Sequence, residues 1–139
     1  MPCDFVFRKE YGFVITRWWG VVMDDDLVGL YEALFSDPAF EPWLQELADA
    51  RFIERHVSSD AITRLDRLVR RRLPELGVNA TPYRTTLIAP SPVTYGLTQA
   101  YSSLADGGPR TVLAFRTVAQ AARSLELAPE DLERLLADP

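Results

Sequence analysis

Strand-like segments alternate with helix-like segments along most of this chain, and that order limits the folds open to it. Residues 47–53, 83–89 and 111–115 are short runs with apolar or β-branched character. Between and after them, apolar residues recur every three or four positions, as on the buried face of a helix. Such alternation builds parallel strands joined by right-handed crossovers. The sequence therefore predicts an α/β fold.

The chain begins with two further strand-like runs, which a short polar link separates. Residues 4–8 and 13–19 are rich in aromatic and β-branched side chains, and residues 9–12 connect them. This arrangement predicts an antiparallel hairpin, so that the complete sheet is mixed and five-stranded. With 139 residues and no linker, repeat or low-complexity tract, we expect one domain over residues 1–139.

Several helices begin with recognisable capping residues. Three aspartates at 24–26 precede an apolar stripe, and carboxylates there accept free backbone N–H groups at the positive end of the helix dipole. A metal site is the alternative for this triplet, and capping is the simpler interpretation. Ser91 followed by Pro92 predicts another helix start, and Thr117 with Gln120 matches a capping box.

Adjacent tryptophans at 18 and 19 must point to opposite faces of their strand. One can join the core beneath the crossover helices, whereas the other lies on the far face of the sheet. We expect that face to be covered by the C-terminal helix, by residues 40–43 or by a second subunit. A homodimer is therefore one arrangement that the sequence suggests.

Composition sets limits on partners and location. The formal net charge of −5 favours solubility and argues against binding nucleic acid over the whole surface. No run of eighteen apolar residues and no signal-peptide pattern is present, so we expect a cytoplasmic protein that is not inserted in a membrane. Cys3 is the only cysteine, which rules out an intrachain disulfide and fits a reducing compartment.

The chain has no recognisable catalytic or cofactor motif. His56 is the only histidine, and it lies next to Ser58, Ser59 and Asp60 along one segment. A serine–histidine–aspartate triad needs side chains that converge from separate positions, together with an oxyanion hole. One histidine and one distant cysteine do not form a zinc site, and glycine-rich nucleotide loops are absent. We therefore expect no enzymatic activity, no metal and no cofactor.

Five short motifs are distributed over nearly the whole length of the chain. They occupy residues 37–40, 47–51, 88–90, 95–101 and 112–116. Together they resemble the uncharacterised bacterial STAS-like (SpoIIAA-like) single-domain proteins. The resemblance implies the SpoIIAA-like fold, in which successive β–α turns build a mixed sheet. It implies no established activity, because that group is defined largely by structure.

Better-known STAS domains imply a regulatory role, since they act as anti-sigma-factor antagonists that are switched by phosphorylation. The modified Ser or Thr begins the helix after the third strand, within an Asp-Ser-Ser/Thr-Gly setting. The equivalent stretch here is residues 57–60, where Val57 and Asp60 replace the flanking Asp and Gly. Asp60 would repel a phosphate on Ser58 or Ser59, so helix capping by Ser59 is the favoured interpretation.

A ligand site in such a fold is expected outside the carboxyl ends of the strands, near helix N-termini. The loops at residues 56–60, 90–95 and 116–117 meet that description, and residues 22–24 border them. The candidate binding residues are Arg51, His56, Ser58, Ser59, Ser91, Thr94, Tyr95, Arg116 and Thr117. Arg51 either contacts an anionic ligand or forms an ion pair with Asp49 on the same strand face.

A second candidate surface is a stripe of arginines on the helix after the third strand. Residues 64–72 contain five arginines and one aspartate, and Arg64, Arg67 and Arg71 lie opposite the apolar stripe. Asp60 is expected to pair with Arg64 one turn later. An ordinary solvated face and a docking face for an acidic partner both fit, whereas the absence of interleaved aromatic residues argues against nucleic acid.

Two functions remain open on this sequence. The leading hypothesis is a non-enzymatic regulatory or protein-interaction module. The alternative is a binding protein for a small lipid or anionic metabolite, which would use the helix N-termini at the carboxyl ends of the strands. An apolar cavity beside the candidate loops would favour the ligand, and a filled, flat surface would favour a protein partner.

Overall fold

The sheet contains five strands in the same order as they occur along the chain. A computed structural model describes residues 2–55 and 57–137. The first two strands pair antiparallel and the remaining neighbours pair parallel, which confirms the predicted mixed α/β sheet. The strands are β1 (Cys3–Arg8), β2 (Phe13–Val21), β3 (Gln45–Arg55), β4 (Tyr83–Ile88) and β5 (Arg110–Phe115).

Helices cover both faces of this sheet. Three of them contribute buried residues to the larger hydrophobic core on one face, and two pack on the other face. The first group is α1 (Asp24–Ser36), α2 (Ser59–Glu75) and α3 (Pro92–Ala105), and the second is α4 (Val118–Leu125) and α5 (Pro129–Ala137). None of the helices within the described residues is long and apolar enough to cross a lipid bilayer.

The predicted hairpin is confirmed, and one glycine shapes its turn. A single turn of 3₁₀ helix (Lys9–Tyr11) joins β1 to β2. Gly12 follows with a φ of 82°, a left-handed conformation that side chains disfavour. Its carbonyl accepts the N–H of Gln45 at 3.0 Å, which holds the turn beside the start of β3.

Alternating side chains on β2 divide the interior into two cores. Val14 and Trp18 belong to the larger core beneath the first three helices, whereas Ile15 packs against the last two helices. Trp18 is only 4% exposed, and Trp19 on the opposite face is 40% exposed. The two tryptophans therefore face opposite sides, as strand geometry requires.

The far face is covered by the chain itself over most of its apolar residues. Ile15 and Leu47 contribute to a buried cluster with Ala121 of α4 and Leu132 of α5. The C-terminal helix therefore provides part of the expected cover, and α4 provides a further part. Phe40 packs instead into the core on the other face. Trp19 on the same face stays 40% exposed, and a homodimer remains a prediction.

Aspartates assist the start of α1 in different ways. Met23 is the capping residue, and its backbone N–H donates to Asp26 at 2.8 Å. Asp24 instead binds Ser58 at the start of α2.

Ser58, rather than Ser59, caps α2, because its hydroxyl accepts the N–H of Ala61 at 3.3 Å. The expected capping stretch, residues 58–60, does begin the helix, with Ser58 and not Ser59 as its capping residue.

The two later helix starts occur where the sequence predicts them, with different side-chain contacts. Ser91 precedes Pro92 at the start of α3, but its side chain makes no capping hydrogen bond. The Thr117 hydroxyl accepts the N–H of Gln120 at 3.1 Å. The Gln120 side chain accepts the N–H of Arg116, so the second half of the predicted capping box is displaced by one residue.

Candidate functional site

A cavity of about 90 Å³ lies between the sheet and the helices of the larger core. Its walls come from the carboxyl halves of β2 and β3, from β4 and the first half of β5, and from helices α1, α2 and α3. Apolar side chains dominate the lining, including Trp18, Ala50, Ile62, Leu65, Leu97 and Val112. The half-buried side chains of Ile62 and Leu97 lie toward solvent, near the predicted rim of the sheet.

The inner end of this cavity is polar. Arg110, the first residue of β5, lines it together with Tyr101 and Thr98 of α3. The Arg110 side chain is only 3% exposed, so its charge has left bulk water. A buried guanidinium must be paired and hydrogen-bonded, because burying an isolated charge is very costly.

Glu46 of β3 supplies the balancing charge. Its side chain is fully buried, and its Oε1 atom lies 2.9 Å from Nη2 of Arg110. Both carboxylate oxygens are saturated with hydrogen bonds, at donor–acceptor distances of 2.6 to 3.1 Å. The donors are Thr16 and Tyr31 to Oε2, and Tyr83, Thr85 and Arg110 to Oε1. The pair is thus neutral overall and well satisfied.

Aromatic rings surround the guanidinium. The Arg110 Cζ atom lies 4.6 Å from the centroid of the Tyr31 ring, 5.4 Å from that of Tyr101 and 5.8 Å from that of Tyr83. These distances allow cation–π attraction. Burial raises the pKa of Tyr31 and of Tyr83 well above the usual value, so both phenols remain protonated hydrogen-bond donors.

Of the candidate residues that the sequence suggests, Thr94 lies in the wall of this cavity. It is buried in the first turn of α3, and its carbonyl accepts the hydroxyl of Thr98 at 2.9 Å. His56 lies outside the described residues. The other candidates lie elsewhere, and most of them contact neighbouring protein groups.

Ser58 and Asp24 form a contact between the starts of α1 and α2. The Ser58 hydroxyl donates to Oδ2 of Asp24 at 2.5 Å, and its backbone N–H donates to Oδ1 at 2.9 Å. These two hydrogen bonds lower the pKa of the Asp24 carboxyl. Ser59 is exposed beside this contact. The serine hydroxyl is thus already engaged by a carboxylate.

Arg51 lies on the far face of the sheet, away from the cavity. Its Nε and Nη2 atoms donate to Asp49 at 2.9 Å, and Nη1 donates to Glu133 of α5 at 3.0 Å. The Asp49 carboxylate is nearly buried, so the guanidinium compensates its charge. The ion-pair alternative therefore describes the position of Arg51.

The candidates around α3 and α4 border a separate surface groove. Tyr95 lies in that groove, and the guanidinium of Arg116 stands 5.8 Å from the centroid of its ring. Arg116 also donates to the carbonyl of Pro90 at 2.8 Å. Ser91 and Thr117 are exposed at the two helix starts. These contacts tie the α3 and α4 loops to each other.

The arginine stripe on α2 is only partly engaged. Arg64 donates to Asp25 of α1 at 3.1 Å, rather than to Asp60 as expected. Arg67 and Arg71 are exposed, and neither has an ion-pair partner within residues 2–55 and 57–137. Within the same residues, no group of three or more His, Cys, Asp and Glu side chains could hold a metal ion.

Sequence reasoning did not identify the polar end of the cavity. Glu46 and Arg110 each lie one residue before a predicted strand, so neither was assigned to a face of the sheet. A usable signal was present in the apolar stripes, where Tyr31 and Tyr101 occupy inward positions. A buried tyrosine hydroxyl needs a hydrogen-bond partner, and two such tyrosines indicate a polar group between them.

Comparison with solved structures identifies the architecture. An uncharacterised DUF3478-family protein from Shewanella loihica PV-4, which has a SpoIIAA-like fold, superposes with a TM-score of 0.54. The match covers 88% of this chain and 91% of the other, at 12% sequence identity. This chain has the SpoIIAA-like fold. The likeness to SpoIIAA-like proteins, first inferred from short motifs, is therefore confirmed as a likeness of fold. No protein-family model and no curated protein matches the chain.

Proposed function

We propose that this protein binds a small, largely apolar ligand in the cavity between the sheet and helices α2 and α3, without catalysing a reaction. The observation that supports this proposal is the cavity itself, which is apolar except at one neutral polar end. Part of its wall comes from the carboxyl halves of β2 and β3, and open α/β sheets bind their ligands at the carboxyl ends of their strands. The SpoIIAA-like neighbour is uncharacterised and adds only the fold.

The size of the cavity limits what it encloses. One water molecule needs roughly 10–15 Å³ of such space, so about 90 Å³ exceeds a single water site severalfold. The space suits a ring or a short branched chain rather than a whole lipid. Any longer part of the ligand would lie between Ile62 and Leu97, on the open side.

An apolar cavity is also a cost in stability. Protein interiors are close-packed, and atoms that line a void lose dispersion contacts. A larger residue at Ala50, which is buried in the cavity wall, would remove much of the void. An alanine at position 50 leaves this space open, which supports a role in which another molecule fills it.

Filling the cavity tests the proposal. Toluene is a suitable probe because it has no polar group, and Trp18 in the wall gives a fluorescence signal. We expect saturable toluene binding to the wild type and at least tenfold weaker binding to Ala50→Leu. Ala119→Leu is the matched control, because residue 119 is exposed on α4. Equal binding to folded Ala50→Leu, or no saturable binding at all, would contradict the proposal.

A second function is favoured by one observation: two exposed arginines on α2 have no ion-pair partner among the residues that the structure describes. Arg67 and Arg71 lie one turn apart, on a chain whose net charge is −5. We infer a docking face for an acidic protein partner, which would give the chain a regulatory role. Pull-down with wild type and with Arg67→Glu/Arg71→Glu tests this: recovery of the same partners by both proteins would remove the arginines from the proposal. Native mass spectrometry of the same samples measures homodimer formation.

A further inference from the structure

The polar end of the cavity contains hydrogen-bond donors that have no acceptor in the part of the chain that the structure describes. Arg110 donates its Nε–H to the Thr85 hydroxyl, and its two Nη2–H groups to the Tyr31 hydroxyl and the Glu46 carboxylate. Nη1 donates to the Tyr101 hydroxyl at 3.3 Å. A guanidinium has five N–H groups, so one on Nη1 has no acceptor within residues 2–55 and 57–137.

Tyr101 provides a second unused donor. Its hydroxyl accepts from Arg110, and its own hydrogen has no acceptor among the described residues. Burial raises the pKa of Tyr101, so the phenol keeps this hydrogen at neutral pH. Thr98 differs from Tyr101, because its hydroxyl already donates to the carbonyl of Thr94. Arg110 and Tyr101, which both line this end of the cavity, therefore each have one hydrogen-bond donor without an acceptor among the described residues.

The charge at this end is already balanced. Glu46 neutralises Arg110 and is itself fully buried. A ligand carboxylate or phosphate would bring a second negative charge next to that carboxylate, and among residues 2–55 and 57–137 no cation other than Arg110 lines the cavity. An anion that leaves water without a matching positive charge is strongly disfavoured. The cavity thus offers hydrogen bonds to an oxygen atom but no net charge to an anion.

We propose that the ligand presents an uncharged oxygen acceptor, such as a ketone, aldehyde or ester carbonyl, to Arg110 and Tyr101, and not an acidic head group. This inference rests on the proposed function, since it concerns the same cavity. It narrows the ligand class to neutral molecules with an apolar body and a carbonyl-type oxygen. The anionic metabolite considered from the sequence is disfavoured for the same electrostatic reason.

Three probes of similar size separate the alternatives, when titrated into the full chain by calorimetry at pH 7. Toluene tests occupancy alone, 2-hexanone adds a neutral acceptor, and hexanoate adds a charge. We expect 2-hexanone to bind about three- to tenfold more tightly than toluene, as one or two hydrogen bonds allow. Hexanoate should bind at least tenfold more weakly than 2-hexanone.

Two variants locate the effect. Tyr101→Phe removes an unused donor and should reduce the preference for 2-hexanone over toluene. Tyr11→Phe is the matched control: it removes a hydroxyl from an exposed side chain outside the cavity lining, and it should leave that preference unchanged. The ranking in the wild type is sufficient if Tyr101→Phe does not fold.

The outcomes separate this inference from the function on which it rests. Tighter binding of hexanoate, or equal binding of toluene and 2-hexanone, would overturn the neutral-acceptor inference and leave the ligand-binding proposal standing. Failure of all three probes to bind would overturn both.

Discussion

The Nη2 atom of Arg110 lies 2.9 Å from Oε1 of Glu46, although 64 positions separate the two residues in the chain. Arg110 begins the edge strand β5, and Glu46 lies near the start of the central strand β3. The intervening strand β4 contributes Tyr83 and Thr85 to the same carboxylate. One buried ion pair therefore connects three neighbouring strands.

Removing one partner of this pair should lower the free energy of unfolding more, per residue changed, than removing both partners together. Glu46→Leu or Arg110→Met alone leaves a buried charge without its partner, and we expect each to lower the free energy of unfolding by about 3–5 kcal/mol. The double variant should lose less than the sum of the two. Urea denaturation of all four proteins gives the coupling energy. Strictly additive losses would contradict a direct interaction.

Helix α5 should contribute strongly to stability through Leu132, which is fully buried against the far face of the sheet. Leu132→Ala removes buried methyl groups and leaves a cavity, so we expect a loss of about 2–5 kcal/mol. Leu104→Ala is the control, because Leu104 is 42% exposed on α3. Comparable losses in urea denaturation for the two variants would show that α5 does not cover the sheet.

The contact between Asp24 and Ser58 should be visible as a pH effect. Two hydrogen bonds favour the Asp24 carboxylate, so its pKa lies below the ordinary value of about 3.9. The contact therefore makes its full contribution to the free energy of unfolding above the ordinary pKa. That contribution is lost as the pH falls through the lower pKa of the folded state. Ser58→Ala should raise the pKa of Asp24 toward the ordinary value in an NMR titration, whereas Ser59→Ala should not. Unchanged titration in Ser58→Ala would contradict the contact.

The position of Arg51 predicts a role in stability rather than in ligand binding. Arg51→Met leaves the nearly buried Asp49 carboxylate without two charged hydrogen bonds, so we expect a loss of about 1–3 kcal/mol. Glu133→Gln should cost less than about 1 kcal/mol, because that side chain is half exposed. Toluene affinity should be unchanged in both variants. A weaker affinity in Arg51→Met would place this residue in the binding site after all.

The fold was predictable because its signals are local and repeated. Period-two and helical patterns, with Ser91 and Thr117 at helix starts, require only neighbouring residues in the chain. Their order then leaves few topologies. No local pattern indicates which apolar residues stay exposed, such as Phe52 on β3, whose side chain is 61% exposed.

The candidate site was predictable in its place but not in its residues. The rim of the sheet was expected, and Thr94 does lie in the cavity wall. Glu46 and Arg110 were missed because charged residues at strand ends are normally exposed, and only long-range pairing makes their burial favourable. A cavity depends on how side-chain volumes fit together, which no sequence pattern reports.

The late position of Arg110 in the chain also bears on how the protein is made. During synthesis, Glu46 emerges from the ribosome well before Arg110, the cation that makes burial of the Glu46 carboxylate favourable. We expect the first four strands to assemble loosely, with a hydrated centre, until β5 docks along β4. A product truncated before residue 110 would keep that hydrated centre and should be recognised by proteases as incomplete.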